Sequence, residues 1–146
     1  MASTMRFDQW QNSLGQSYTT PIQVLSKTFT DSTSTTATQT YVNLTNGDIA
    51  ITSKLANSKF LIILSCGGYY DGGSVGYNIG ISRTVLSSTS RLIGTDGSSG
   101  DAWMGSGNAG PVNNSMNITR QYLDSPGLPA NTVITYRGLF GRWSGS

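Results

Sequence analysis

The chain has no histidine and no glutamate among its 146 residues, and a single cysteine, Cys66. Without histidine there is no Ser-His-Asp or Cys-His apparatus, and Asp is the only side chain left for ordinary acid-base work near neutral pH. The Cys and His sets of a zinc site are missing as well. One cysteine cannot form an internal disulfide, so there is no signature of an oxidising compartment. Charge is scarce: 11% of residues are charged and the net charge is +2. The nine basic residues are scattered, which removes the electrostatic footprint expected of a nucleic-acid or anionic-lipid binder. Long apolar runs are also absent. "FLIILSC" is far short of a membrane span, and the first 21 residues hold no signal-length apolar stretch. Synthesis in a cytoplasm without an export signal is the expectation.

What is present is hydroxyl and apolar-aromatic material. Roughly a quarter of the chain is Ser or Thr, and there are three Trp, seven Tyr and four Phe, more than disordered segments carry. A chain of this length buries roughly 70% of its unfolded surface as one domain.

Residues 1–20 are polar with isolated Phe7 and Trp10, and read as an extended arm preceding a single domain over 21–146. "PIQVLSKTF" and "TYVNLT" are rich in β-branched and aromatic residues and suit strands. The Ser/Thr block over 30–38 between them reads as an exposed loop or edge. Asn46-Gly47 is the pair suited to a tight hairpin turn, which would join "TYVNL" to "IAITSKL". The continuous apolar run 58–66 predicts a central strand buried on both faces. From Val75 to Val85, Val75, Tyr77, Ile79, Ile81, Arg83 and Val85 recur at strict two-residue spacing with small polar residues between them, the clearest strand in the chain. "RLIG", "AWMG", "SMNITRQYL" and "TVITYRGLF" follow as further short strands, separated by "TDGSSGD", "GNAGPVNN" and "DSPGLPAN". The fold class is therefore all-β: an antiparallel β-sandwich or jelly roll with an extended N-terminal arm.

Candidate sites are few. "GGYYDGG", Gly67 to Gly73, lacks the ending of a phosphate loop and reads as the corner of a hairpin. Tyr69, Tyr70 and Asp71 at its tip, with Trp103, are the candidates for contact with a glycan or a partner subunit. Asp96 and Asp101 in "TDGSSGDAW" are placed to hold Ca²⁺, against the plainer reading of a Gly-rich turn. Cys66 reads as a buried small hydrophobe. Seven scattered Asp residues give no glycosidase motif. No cofactor, metal or catalytic site is expected, and binding or structure is favoured over catalysis.

Four stretches, "MRFDQWQNSLGQ" (5–16), "VLSKTFTDSTSTTATQTYVNLT" (24–45), "IAITSKLANSKFLIIL" (49–64) and "YLDSPGLPANTVITY" (122–136), make the chain similar to short all-β virion appendage proteins of marine cyanobacterial tailed phages. The resemblance implies a non-enzymatic β-sandwich on the virion surface, a capsid knob or decoration protein, grouped in threes and facing the major capsid protein or other virion proteins. Because only about 20 residues precede the first strand, a knob is favoured over a tail-fibre tip that binds a host surface glycan. On that reading Arg6, Phe7, Asp8, Gln9 and Trp10 are the docking residues, an aromatic pair anchoring a small interface while Arg and Asp orient it.

Overall fold

A computed structural model describes residues 10–11, 17–18, 23–36, 40–70, 75–93, 104–105 and 114–144, and every regular element in them is a β-strand. In chain order these are β1 (Trp10–Gln11), β2 (Ser17–Tyr18), β3 (Thr40–Thr52), β4 (Phe60–Tyr70), β5 (Val75–Val85), β6 (Ser88–Ile93), β7 (Met104–Gly105), β8 (Asn114–Asp124) and β9 (Val133–Ser144). All pairings are antiparallel. The main sheet has the order β3-β9-β5-β6, with β7 also on β5; β4 and β8 form a second sheet and β1 and β2 a third. Among the described residues no helix is long and apolar enough to cross a membrane.

Alternation builds the core. Ile79 and Ile81 of β5 and Ile134 and Tyr136 of β9 meet Leu64 of β4 and Ile118 of β8 in one buried cluster, so the two larger sheets share an interior. β5 runs over the residues expected of it. Its small polar face is buried too: Asn78, Gly80 and Ser82 are all inaccessible. On that face the Tyr41 ring lies against Gly141, where an added Cβ would stand 2.9 Å from the ring, and the Arg91 guanidinium sits 5.2 Å from the ring centre. The glycine makes room for the aromatic, and the cation sits over its π face.

Four expectations are corrected. Asn46-Gly47 does not turn the chain: residues on both sides belong to β3 and pair with β9, Asn43 with Leu139 and Asp48 with Arg137. Residues 44–47 are a bulge opposite Gly138, and Asn46 takes the positive φ its side chain tolerates, 54°. Leu44 of the bulge turns into the core over Gly138. Second, the apolar run is not a central strand. β4 pairs only with β8 among the described residues, and alternates between half-buried or buried Phe60, Ile62 and Leu64 and exposed Leu61 and Ile63. The interior strands of the main sheet are β9 and β5. Third, residues 23–30 are not a strand. Val24 and Leu25 are exposed and only Phe29 packs on the core, so an apolar face was never closed there. The Ser/Thr segment instead lies along the bulge: Thr45 N donates to Thr33 Oγ1 at 2.8 Å, Asn46 Nδ2 to Asp31 Oδ2 at 2.6 Å, and Lys27 Nζ to the Asp48 carbonyl at 2.8 Å. Fourth, "GGYYDGG" is not a hairpin corner, because β4 and β5 sit in different sheets.

Candidate functional site

Tyr69 and Tyr70 occupy the last two positions of β4, opposite Ser115 and Asn114 of β8. The Trp10 backbone pairs with Tyr18 across β1 and β2. Arg6, Phe7, Asp8, Gln9, Asp71, Asp96, Asp101 and Trp103 lie outside the described residues. Among the described residues no three His, Cys, Asp or Glu side chains converge as a metal site. Cys66 is half-buried against the core, and burial pushes its thiol above the usual range.

Two polar ties cross between the sheets. Asp124, at the end of β8 and 3% exposed, accepts Arg83 Nη1 from β5 at 2.7 and 3.0 Å and the Tyr136 hydroxyl from β9 at 2.7 Å. A buried carboxylate is stable only when paired and hydrogen-bonded, and this one has both. The Tyr136 phenol is pushed well above its usual range by burial, and then by its hydrogen bond to Asp124 and the carboxylate's charge, opposed by Arg83. The second tie lies where the outer ladder of β5 is interrupted, between β7 on Gly76–Tyr77 and β6 from Ile81 onward. There the Ile79 N–H bonds Asn78 Oδ1 at 2.9 Å, and the same oxygen accepts Arg120 Nη2 from β8 at 2.7 Å. Two sheets joined only by apolar packing could slide; these directional bonds fix their relative position.

An open depression of about 450 Å³ lies at one end of the main sheet, lined by Thr84, Leu86, Asn131, Thr132, Val133 and Thr135. One wall is the two-residue turn Leu86-Ser87 between β5 and β6, with Val85 opposite Ser88. Leu86 has φ 55° and is 94% exposed, so a backbone state costly for a branched side chain holds an apolar group in solvent. The other wall is the 125–132 connection, held by Ser53. The Ser53 N–H bonds the Thr132 carbonyl at 2.9 Å, its carbonyl accepts Asn131 N–H at 2.7 Å, its hydroxyl donates to the Pro129 carbonyl at 2.8 Å, and Thr132 N–H donates to that hydroxyl at 3.0 Å. Thr132 Oγ1 donates to the Pro129 carbonyl at 2.9 Å. The "DSPGLPAN" connection is therefore a fixed wall, with Gly127 and Asn131 at φ 66° and 63° supplying its bends.

None of the six described lining residues carries an ionisable side chain. The depression offers hydroxyls, one amide and two apolar side chains to a neutral, hydrogen-bonding ligand. Sequence reasoning did not reach Leu86 or Ser53: Leu-Ser is not a turn pair by composition, and Ser53 acts through a connection 76 residues downstream. "DSPGLPAN" did signal a turn at the Asn131 wall. No family model, curated protein or solved structure matches the chain.

Proposed function

We propose that this chain is a non-enzymatic structural protein of a phage virion, a knob or decoration protein displayed on the capsid surface after synthesis in the host cytoplasm. In this reading the main sheet and the β4-β8 pair are the two layers of a β-sandwich. Arg6, Phe7, Asp8, Gln9 and Trp10 dock it on the major capsid protein or another virion protein, and copies gather on the particle, in threes by the resemblance. The observation that carries it is the use made of the buried charge. Asp124, Arg83 and Tyr136 tie the layers together, and the depression that faces solvent is neutral. That division suits a scaffold that must hold its shape and present a surface.

A second reading, a receptor-binding tail-fibre tip, is favoured by the same depression. Threonine hydroxyls and the Asn131 amide beside Leu86 and Val133 match the mixed polar and apolar face of a neutral sugar.

Immunogold electron microscopy and particle loading separate the two. Label over heads, with loading lost on deletion of residues 1–20 while the remainder stays folded, is the result expected of the knob. Label at tail tips, with glycan binding lost in Thr135→Ala or Tyr70→Ala, moves the assignment to the tip. Loading by the truncated chain would overturn docking through residues 6–10.

A further inference from the structure

The sheet edges of this molecule are not alike. β3 carries the bulge at residues 44–47 and is flanked by residues 27–33, which bond to it through Lys27, Asp31 and Thr33. β6 is six residues long and carries Arg91. Bulges, covering segments, short strands and charges are the devices that stop an edge from pairing with another chain. Among the described residues β4 has none of them. Phe60–Tyr70 contains no charged residue and no proline, and its eleven-pair ladder with β8 runs without a shift. Among the described residues no strand pairs with its other edge. Leu61 and Ile63 on its outer side are 62% and 60% exposed, and Leu123, opposite Leu61 on β8, is 58% exposed.

We propose that this edge pairs with β4 of a second copy, antiparallel about a two-fold axis, to give a continuous sheet of order β8-β4-β4-β8. A two-stranded ribbon gains from becoming four-stranded, and the N–H and C=O groups along one β4 edge are matched by the same groups of the other. The occupant follows from the composition of the edge itself. β4 carries no charged residue, so two copies of it meet with no charge at the seam, and the exposed Leu61 and Ile63 of one find the same pair on the other.

The register follows as well. Opposed residues in an antiparallel pair face the same side of the sheet, so a two-fold axis must pass beside one residue. Centred on Ile62, Phe60 meets Leu64 of the partner subunit and Leu61 meets Ile63 of the partner subunit. The five residues Phe60–Leu64 then pair wholly among themselves, and the two Lys59 side chains stand about 20 Å apart. Centring on Leu61 would put Lys59 against Ile63, and centring on Ile63 would put Leu61 against Ser65. The outer face gains two Leu-Ile cross-strand pairs, and the inner face extends the apolar row of Phe60, Ile62 and Leu64. This two-fold contact stands apart from the virion reading and differs from the three-fold grouping that the resemblance implies.

Sedimentation velocity of the full chain over a range of concentrations, paired with disulfide trapping, tests it. The expected result is a reversible dimer that Ile63→Lys converts to monomer with an unchanged circular dichroism spectrum. In a Cys66→Ser background, an equimolar mixture of Leu61→Cys and Ile63→Cys chains should cross-link on mild oxidation at least tenfold more than either chain alone. A wild-type chain that stays monomeric at every concentration overturns the proposal, most directly if its β4 amides are already protected from hydrogen exchange by another part of the same chain. A trimer, or a dimer that survives Ile63→Lys and yields no mixed disulfide, overturns it equally. The virion reading survives any of these results, since head or tail label is measured separately.

Discussion

The Tyr136 hydroxyl on β9 donates a 2.7 Å hydrogen bond to the carboxylate of Asp124 on β8, so a residue of the main sheet is bonded directly to one of the second sheet. Arg83 from β5 closes the same carboxylate from its other side. Removing the acid strands a partly buried guanidinium and a buried phenol. Asp124→Ala is expected to cost about 3–5 kcal/mol, the range for breaking a buried pair from one side. Tyr136→Phe should cost about 1–1.5 kcal/mol, a hydrogen bond's net worth. Urea unfolding of both variants and of the double variant measures the coupling, and additive losses would show that the triad does not act as a unit.

Alkaline pH should attack the same contact. The folded phenol holds its proton above the pH at which an unfolded tyrosine, ordinarily near 10, gives it up. The unfolded chain therefore binds fewer protons once pH passes that value, and stability falls with rising pH by at most about 1.4 kcal/mol per unit from this group. Below pH 10 its contribution is fully present. Thermal melts from pH 8 to 11 should show the decline, and Tyr136→Phe should flatten it relative to wild type.

Leu86 holds an unfavourable backbone angle with almost no burial in return. Leu86→Gly removes the left-handed cost, about 1–2 kcal/mol, against an added unfolded-state entropy of less than that. A small rise in Tm is expected, and a fall would mean that the leucine packs on something in the depression.

Gly141 leaves space for the Tyr41 ring, and a methyl group there would meet three ring carbons at 2.9–3.1 Å. An aromatic ring cannot fold away as an aliphatic chain end can. Gly141→Ala should destabilise by about 1–3 kcal/mol, the usual range for overpacking, and lift Tyr41 from Arg91. Pairing it with Tyr41→Ala should recover part of the loss if the clash is the cause; purely additive effects in denaturant titrations would remove that explanation.

Where one residue type settles the outcome, the sequence was a sufficient guide. The alternation from Val75 to Val85 specified β5, because a strand whose faces differ has one way to lie on a core. Where two environments favour the same residue, it was not. Leu61 and Ile63 read as buried because apolar side chains look alike whether a second layer covers them or not. Asn46 was correctly read as tolerant of positive φ, yet tolerance serves a bulge as well as a turn, and only the β9 ladder on both sides distinguishes them. The real two-residue turn fell on Leu86-Ser87, where no turn pair advertises it. The polar groups around the depression were illegible for a related reason: Ser53 gains its role from a connection brought beside it by the completed sheet.

The position of β9 has a consequence for how the chain is made. It is the last strand in chain order, yet it lies between β3 and β5 and is the only partner of β3 among the described strands. A ribosome releases β3 long before the strand that completes its ladder, so the main sheet forms only after residues 133–144 have emerged. Until then β3 and the β9-facing edge of β5 are open templates. A message cut short by even a dozen codons before Ser144 would yield a product missing its middle, which chaperones and proteases would meet as an unfinished sheet.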